Sequence, residues 1–188
     1  MCSLTESHPL SSNRTVESKD TQLVHRRLVS ILKALSAING PQQLYKHEPL
    51  RRVIFVLSGN ADTAIAQLAF SCLLKYKPKH VLTYAQPIQD LFDKKQFQDA
   101  LLQFRTLQEK GKILEDDRQD LFATLSRVLF GRFVTRDSVG GGRMDSSARR
   151  TAIASMLASV YKSNDEIESF LGLVTRPYAS LVESDPFV

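Results

Sequence analysis

Between Arg51 and Ala85 the chain sets two apolar runs on either side of a glycine-bearing turn, and no other stretch restricts the fold as much. Val53, Ile54, Phe55, Val56 and Leu57 form a continuous run, broken by Ser58, Gly59 and Asn60. Helical spacing follows over residues 61–76, and Val81, Leu82, Thr83 and Tyr84 are apolar again after Pro78. A strand that is apolar on both faces belongs inside a covered parallel sheet, and strand, turn, helix, strand is the order of a βαβ unit. The sequence therefore predicts a helix-rich, single-domain α/β fold with a small parallel sheet holding residues 53–57 and 81–84. The alternative is an all-α domain in which residues 53–57 are a buried helical segment.

The rest of the chain reads as helices and connectors. Residues 1–20 are rich in Ser, Thr, Asn and Glu, too polar to offset the entropy of ordering, and are expected to form a disordered tail. Residues 21–180 are the globular domain, and residues 181–188 are a short C-terminal tail. The first helix is expected over residues 21–38, where Leu28, Ile31, Leu32 and Leu35 recur at helical spacing before Gly40-Pro41. A second follows from Pro87 to about Lys110, with Gly111 as its stop. A third starts at the acidic cluster Glu115, Asp116 and Asp117, whose charges suit a helix N-terminus, and ends near Gly131. Phe133, Val134 and Thr135 read as a third strand or extended chain, and Gly140, Gly141 and Gly142 as a flexible loop. Asp145 or Ser146 is expected to cap the next helix, and Ser163 and Glu166 have the spacing of a capping box for the last.

Composition restricts the chemistry. Across 188 residues, 43% are hydrophobic and 24% charged, the profile of an ordinary globular protein. Cys2 and Cys72 form no disulfide framework and read as free thiols in a reducing compartment, so a cytoplasmic or nuclear location is expected. No apolar run reaches the roughly 18 residues of a membrane span, so no membrane partner is expected. His8, His25, His47 and His80 are scattered without metal-ligand spacing. No Gly-x-Ser-x-Gly elbow is present. No cofactor, metal or catalytic residue is expected.

Two features point toward a ligand or partner. The turn Ser58, Gly59, Asn60, Ala61, Asp62, Thr63 stands where a strand-to-helix phosphate site would be, with one glycine, no lysine and a carboxylate. It lacks the parts of a P-loop. Gly59 then makes a tight turn and Asn60 or Asp62 caps the helix. Arg132, Arg136, Arg143, Arg149 and Arg150 flank the triple glycine, and the formal net charge is +5. Guanidinium groups beside a glycine-rich loop can approach phosphate closely. The favoured function is a non-enzymatic subunit or adaptor of an intracellular assembly, with a protein partner and these five arginines contacting nucleic acid or an acidic partner. The competing function is a nucleotide-binding enzyme or switch protein with an atypical or degenerate phosphate site at residues 58–63.

Overall fold

The structure, a computed structural model, describes residues 12–135 and 146–176. Among these residues there is no strand and no sheet. Nine α-helices follow one another among the described residues: α1 (Ser12–Ala37), α2 (His47–Leu57), α3 (Thr63–Lys75), α4 (Lys79–Leu82), α5 (Ala85–Asp90), α6 (Phe97–Glu109), α7 (Glu115–Val134), α8 (Ser146–Val160) and α9 (Asn164–Thr175). A 3-10 turn, Pro41–Gln43, joins α1 to α2. The α/β expectation is overturned and its all-α alternative holds.

Each expected strand fails for its own reason. Residues 53–57 are the last turns of α2, which starts upstream with Glu48 and Pro49 in its first turn, where proline is tolerated. Leu50, Ile54 and Leu57 face inward at helical spacing, while Val53 is 54% and Val56 51% exposed. The run is therefore apolar all round in composition but buried on one stripe only. Residues 81–84 lie in and just after α4, where Val81 and Tyr84 turn inward together and Leu82 points out. The Tyr84 hydroxyl donates to the Lys112 carbonyl (3.2 Å) and accepts from the Leu114 amide (3.3 Å), tying α4 to the entry of α7. Phe133 and Val134 are the final turn of α7, and Thr135 caps it.

Other boundaries also move. α1 begins at Ser12, upstream of the expected Thr21. The single helix expected from Pro87 to Lys110 is two, because the Asp93 carboxylate accepts from the Lys95 amide (2.8 Å) and competes with helical hydrogen bonding. α8 begins at Ser146 and α9 at Asn164. The Gly140 to Gly142 loop, Asp145, residues 1–11 of the expected tail and residues 181–188 lie outside the described residues.

α3 and α7 form the centre. α3 packs against α1, α2, α5 and α7, while α7 also meets α4, α8 and α9, and α6 lies against α5 and α8. α3 accordingly buries Ile65, Ala66, Ala69, Phe70, Cys72 and Leu73, more than one stripe. Phe70 is fully enclosed and tilts against Phe92 at 5.9 Å. Burial of such a ring stabilises by roughly 1.5–3 kcal/mol. In the second half, Phe122 meets Tyr161 edge-on at 4.7 Å, and the Tyr161 hydroxyl bonds the Ser126 hydroxyl at 2.7 Å.

Candidate nucleic-acid interface

The turn at residues 58–63 is the joint between α2 and α3, and α7 lies directly on it. A Cβ added to Gly59 would stand 2.8 Å from the Arg127 carbonyl oxygen, and one added to Gly131 would stand 2.8 Å from the Asn60 carbonyl oxygen. Only glycine on both sides lets backbone approach backbone this closely. The polar groups of the turn are taken up by the fold itself. Ser58 Oγ donates to the Phe55 carbonyl (2.7 Å), and Asn60 Oδ1 accepts from the Asp62 amide (2.8 Å). Asp62 Oδ1 accepts from the amides of Ala64 (2.8 Å) and Ile65 (3.3 Å), the N-cap role that the sequence suggested for it. Asp62 Oδ2 lies 2.7 Å from His25 Nε2 on α1. Burial raises the Asp62 pKa, but the His25 hydrogen bond and the two amides outweigh it and hold the carboxyl below its ordinary value. Thr63 Oγ1 accepts from Arg132 Nη1 (2.7 Å), and Thr135 Oγ1 donates to the Ala61 carbonyl (2.9 Å). A phosphate here would have to displace α7.

Three of the five arginines, Arg132, Arg149 and Arg150, are among the described residues. Arg132 and Arg149 are each only 3% exposed. Arg132 reaches Thr63 and stacks over Phe97 at 5.4 Å. Arg149 on α8 donates through Nε to the Arg132 carbonyl (2.9 Å) and through Nη2 to the Thr135 carbonyl (2.6 Å). Arg150 is exposed, donates to the Phe133 carbonyl (3.1 Å) and lies 5.6 Å over the Phe133 ring. The last carbonyls of any helix lack intrahelical partners, and cations are favoured there by the helix dipole. α7 ends without a glycine stop, so Arg149 and Arg150 supply its C-terminal cap from the neighbouring helix. Arg136 and Arg143 lie outside the described residues.

A second arginine works the same way. Arg118 on α7 is 6% exposed and pairs through Nε and Nη2 with the Glu166 carboxylate of α9. It also donates to Gln108 Oε1 on α6 (2.8 Å) and the Val160 carbonyl at the end of α8 (3.0 Å), and stacks over Phe122. Four helices thus meet at one guanidinium. The capping box forms only in part. Ser163 Oγ accepts from the Glu166 amide (3.3 Å), while the Glu166 carboxylate reaches past Ser163 to the Lys162 amide (2.8 Å).

Outward-facing cations gather elsewhere. A groove of about 380 Å³ lies between α2, α4 and α7, and Arg51, Arg52, Phe55 and His80 are among the residues that line it. Asp120 lines it too, 3.4 Å from His80 Nδ1. Arg127 stacks on Phe55 at 4.7 Å, and burial followed by the like charge of Arg176 lowers its pKa. This groove is not legible in the sequence. The usable signal was the Arg51-Arg52 pair, which takes on meaning once residues 53–57 are helical. Among the described residues, no group of three or more His, Cys, Asp or Glu could hold a metal ion, and no helix is long and apolar enough to cross a membrane.

Residues 22–187 match the family described as U3 small nucleolar RNA-associated protein 20, N-terminal. The chain belongs to this family. U3 small nucleolar RNA-associated protein 20 of Saccharomyces cerevisiae is 28% identical over 144 residues, covering 77% of this chain and 6% of that protein. The protein of the same name in Schizosaccharomyces pombe is 26% identical over 121 residues, covering 64% of this chain and 5% of its own length. The chain thus corresponds to a small part of either relative. Helices α2 to α9, with the closed turn, the α7 cap and the basic groove, all fall within the family match.

Proposed function

We propose that this chain is a non-enzymatic subunit of a nucleolar, RNA-associated assembly, acting by contact rather than chemistry. The observation that carries the proposal is the family match over residues 22–187, whose description and relatives are named for association with U3 small nucleolar RNA. The geometry supports it, because the turn that most resembled a nucleotide site is filled by α7. A nuclear rather than cytoplasmic location goes with this reading. The α7–α8 connection contributes a basic contact through Arg136 and Arg143, since Arg132, Arg149 and Arg150 are engaged by the fold. The test is crosslinking in cells that carry the tagged chain, followed by purification and sequencing of bound RNA. Enrichment of U3 small nucleolar RNA, with nucleolar fluorescence, is the expected result. Recovery of no RNA above an untagged control, or micromolar magnesium-dependent ATP or GTP binding by the purified chain, would overturn it.

A further inference from the structure

We propose that the groove between α2, α4 and α7 is a contact for the backbone of single-stranded RNA. The inference rests on the RNA-associated reading above and assigns that contact to particular residues. Two stretches bring basic side chains to the groove or beside it. Arg51 and Arg52 line it from α2 and are exposed; His80 lines it from α4; Lys77 and Lys79 are exposed on either side of the lining residue Pro78. The connection is unusual in conformation, because Lys77 is a non-glycine residue at φ 51°, in the left-handed region. That turn carries the chain from the end of α3 into α4, so that Lys77, Pro78 and His80 are delivered within four positions.

The charge balance favours a polyanion. Arg51 is partly neutralised by Glu48 (3.2 Å), an exposed pair of small energetic weight. The acidic side chain on the groove, Asp120, already faces His80. Consecutive arginines on a helix diverge by about 100°, so Arg51 and Arg52 address two points along a chain rather than one. Each guanidinium fork matches two oxygens of a phosphate. The shape favours a single strand. The volume is that of a site for one small-molecule-sized unit, and the half-buried Phe55 offers apolar contact to a base or sugar while the arginines hold phosphates.

The experiment measures binding of the full chain to a fluorescein-labelled oligouridine by anisotropy, from low to physiological salt. Arg51→Gln/Arg52→Gln is compared with Arg26→Gln/Arg27→Gln, which removes equal charge from the exposed face of α1. All variants are first checked for an unchanged thermal midpoint. The α2 pair should weaken binding at least tenfold and lower the salt slope by about 1.4, at about 0.7 per phosphate for single strands. The α1 pair should stay within about twofold of the parent. Parent binding that both double variants weaken equally, or that neither weakens, overturns the groove while leaving the RNA-associated reading intact. A parent that fails to bind RNA at any salt removes both. Displacement of RNA by polyglutamate at matched charge concentration would make the groove an acidic-protein site and overturn the assignment to RNA.

Discussion

Replacing Gly131 by alanine tests the closest approach in the fold, and two effects of opposite sign compete. Gly131 lies inside α7, where alanine in place of glycine normally stabilises a helix by about 1 kcal/mol. The added Cβ would stand 2.8 Å from the Asn60 carbonyl oxygen and 2.9 Å from the Gly59 carbonyl carbon. Both are backbone atoms of a turn already bonded to α7 through Thr63 and Ala61, so no side chain can rotate away. Overpacking of this kind costs about 1–3 kcal/mol, with the upper part of the range applying where backbone must move. The net expectation is a loss of about 1–2 kcal/mol, or about 2–8 °C in thermal midpoint for a chain of this size. Gly172→Ala in α9 is the internal control, because nothing lies within 4 Å of its added Cβ. There the propensity term acts alone and should raise stability by up to about 1 kcal/mol. Urea denaturation of both variants decides the matter. If Gly131→Ala is as stable as the parent, or both substitutions move stability the same way, the close crossing of α7 over the α2–α3 turn is refuted.

Acid should weaken the α7–α9 junction. Burial raises the Glu166 pKa, but the Arg118 bond and the Lys162 amide pull it below its ordinary 4.5, so its contribution is complete above that value and is lost as pH falls through the lower folded value; urea midpoints between neutral pH and pH 3 should fall less steeply in Glu166→Gln, and parallel curves would count against it. Arg149→Ala removes charged donors from one buried and one part-buried carbonyl and should destabilise by about 2–4 kcal/mol, whereas the exposed Arg150→Ala should cost under about 1 kcal/mol; equal denaturation midpoints would contradict the capping role. Ile54→Ala should cost about 2–5 kcal/mol, and the half-buried Phe55→Ala less than the ~3–5 kcal/mol of a fully enclosed ring; the reverse order would mean that α2 faces the core by a different stripe.

Helices with a clear stripe or a clear stop were legible from the sequence. The stretch after Glu115, the one after Ser146 and the one after Ser163 lie where spacing and capping residues put them, because several residues in each reported the same period. What failed was the five-residue run at 53–57. Its composition is that of a buried strand, but two of its valines are more than half exposed, and the residues that show its true period, Leu50 and the Glu48-Pro49 entry, lie before it. A short apolar run carries no period of its own, so the window must extend to its flanks. Exposure of Val53 and Val56 has a second consequence: the rule that continuous apolarity means burial on both faces reads an outward-facing helix stripe as interior.

The candidate site was legible only in its raw materials. The sequence showed arginines and glycines near one another and assigned both to an anionic contact, because cations are usually on the surface. Burial of Arg118 and Arg149 follows from a shortage elsewhere. α7 ends at Val134 without a glycine to close its last turn, and α8 ends at Val160 in the same way, so each leaves carbonyl groups inside the protein that need donors. Lysine offers a point charge, whereas arginine's planar fork can serve two carbonyls, or a carbonyl and a carboxylate, at once. Arg149 does the first at the end of α7, and Arg118 does the second at the end of α8. An uncapped helix end with an arginine on a helix packed against it is therefore a signal for an internal clamp. Arg51 and Arg52 on α2, by contrast, keep their side chains exposed.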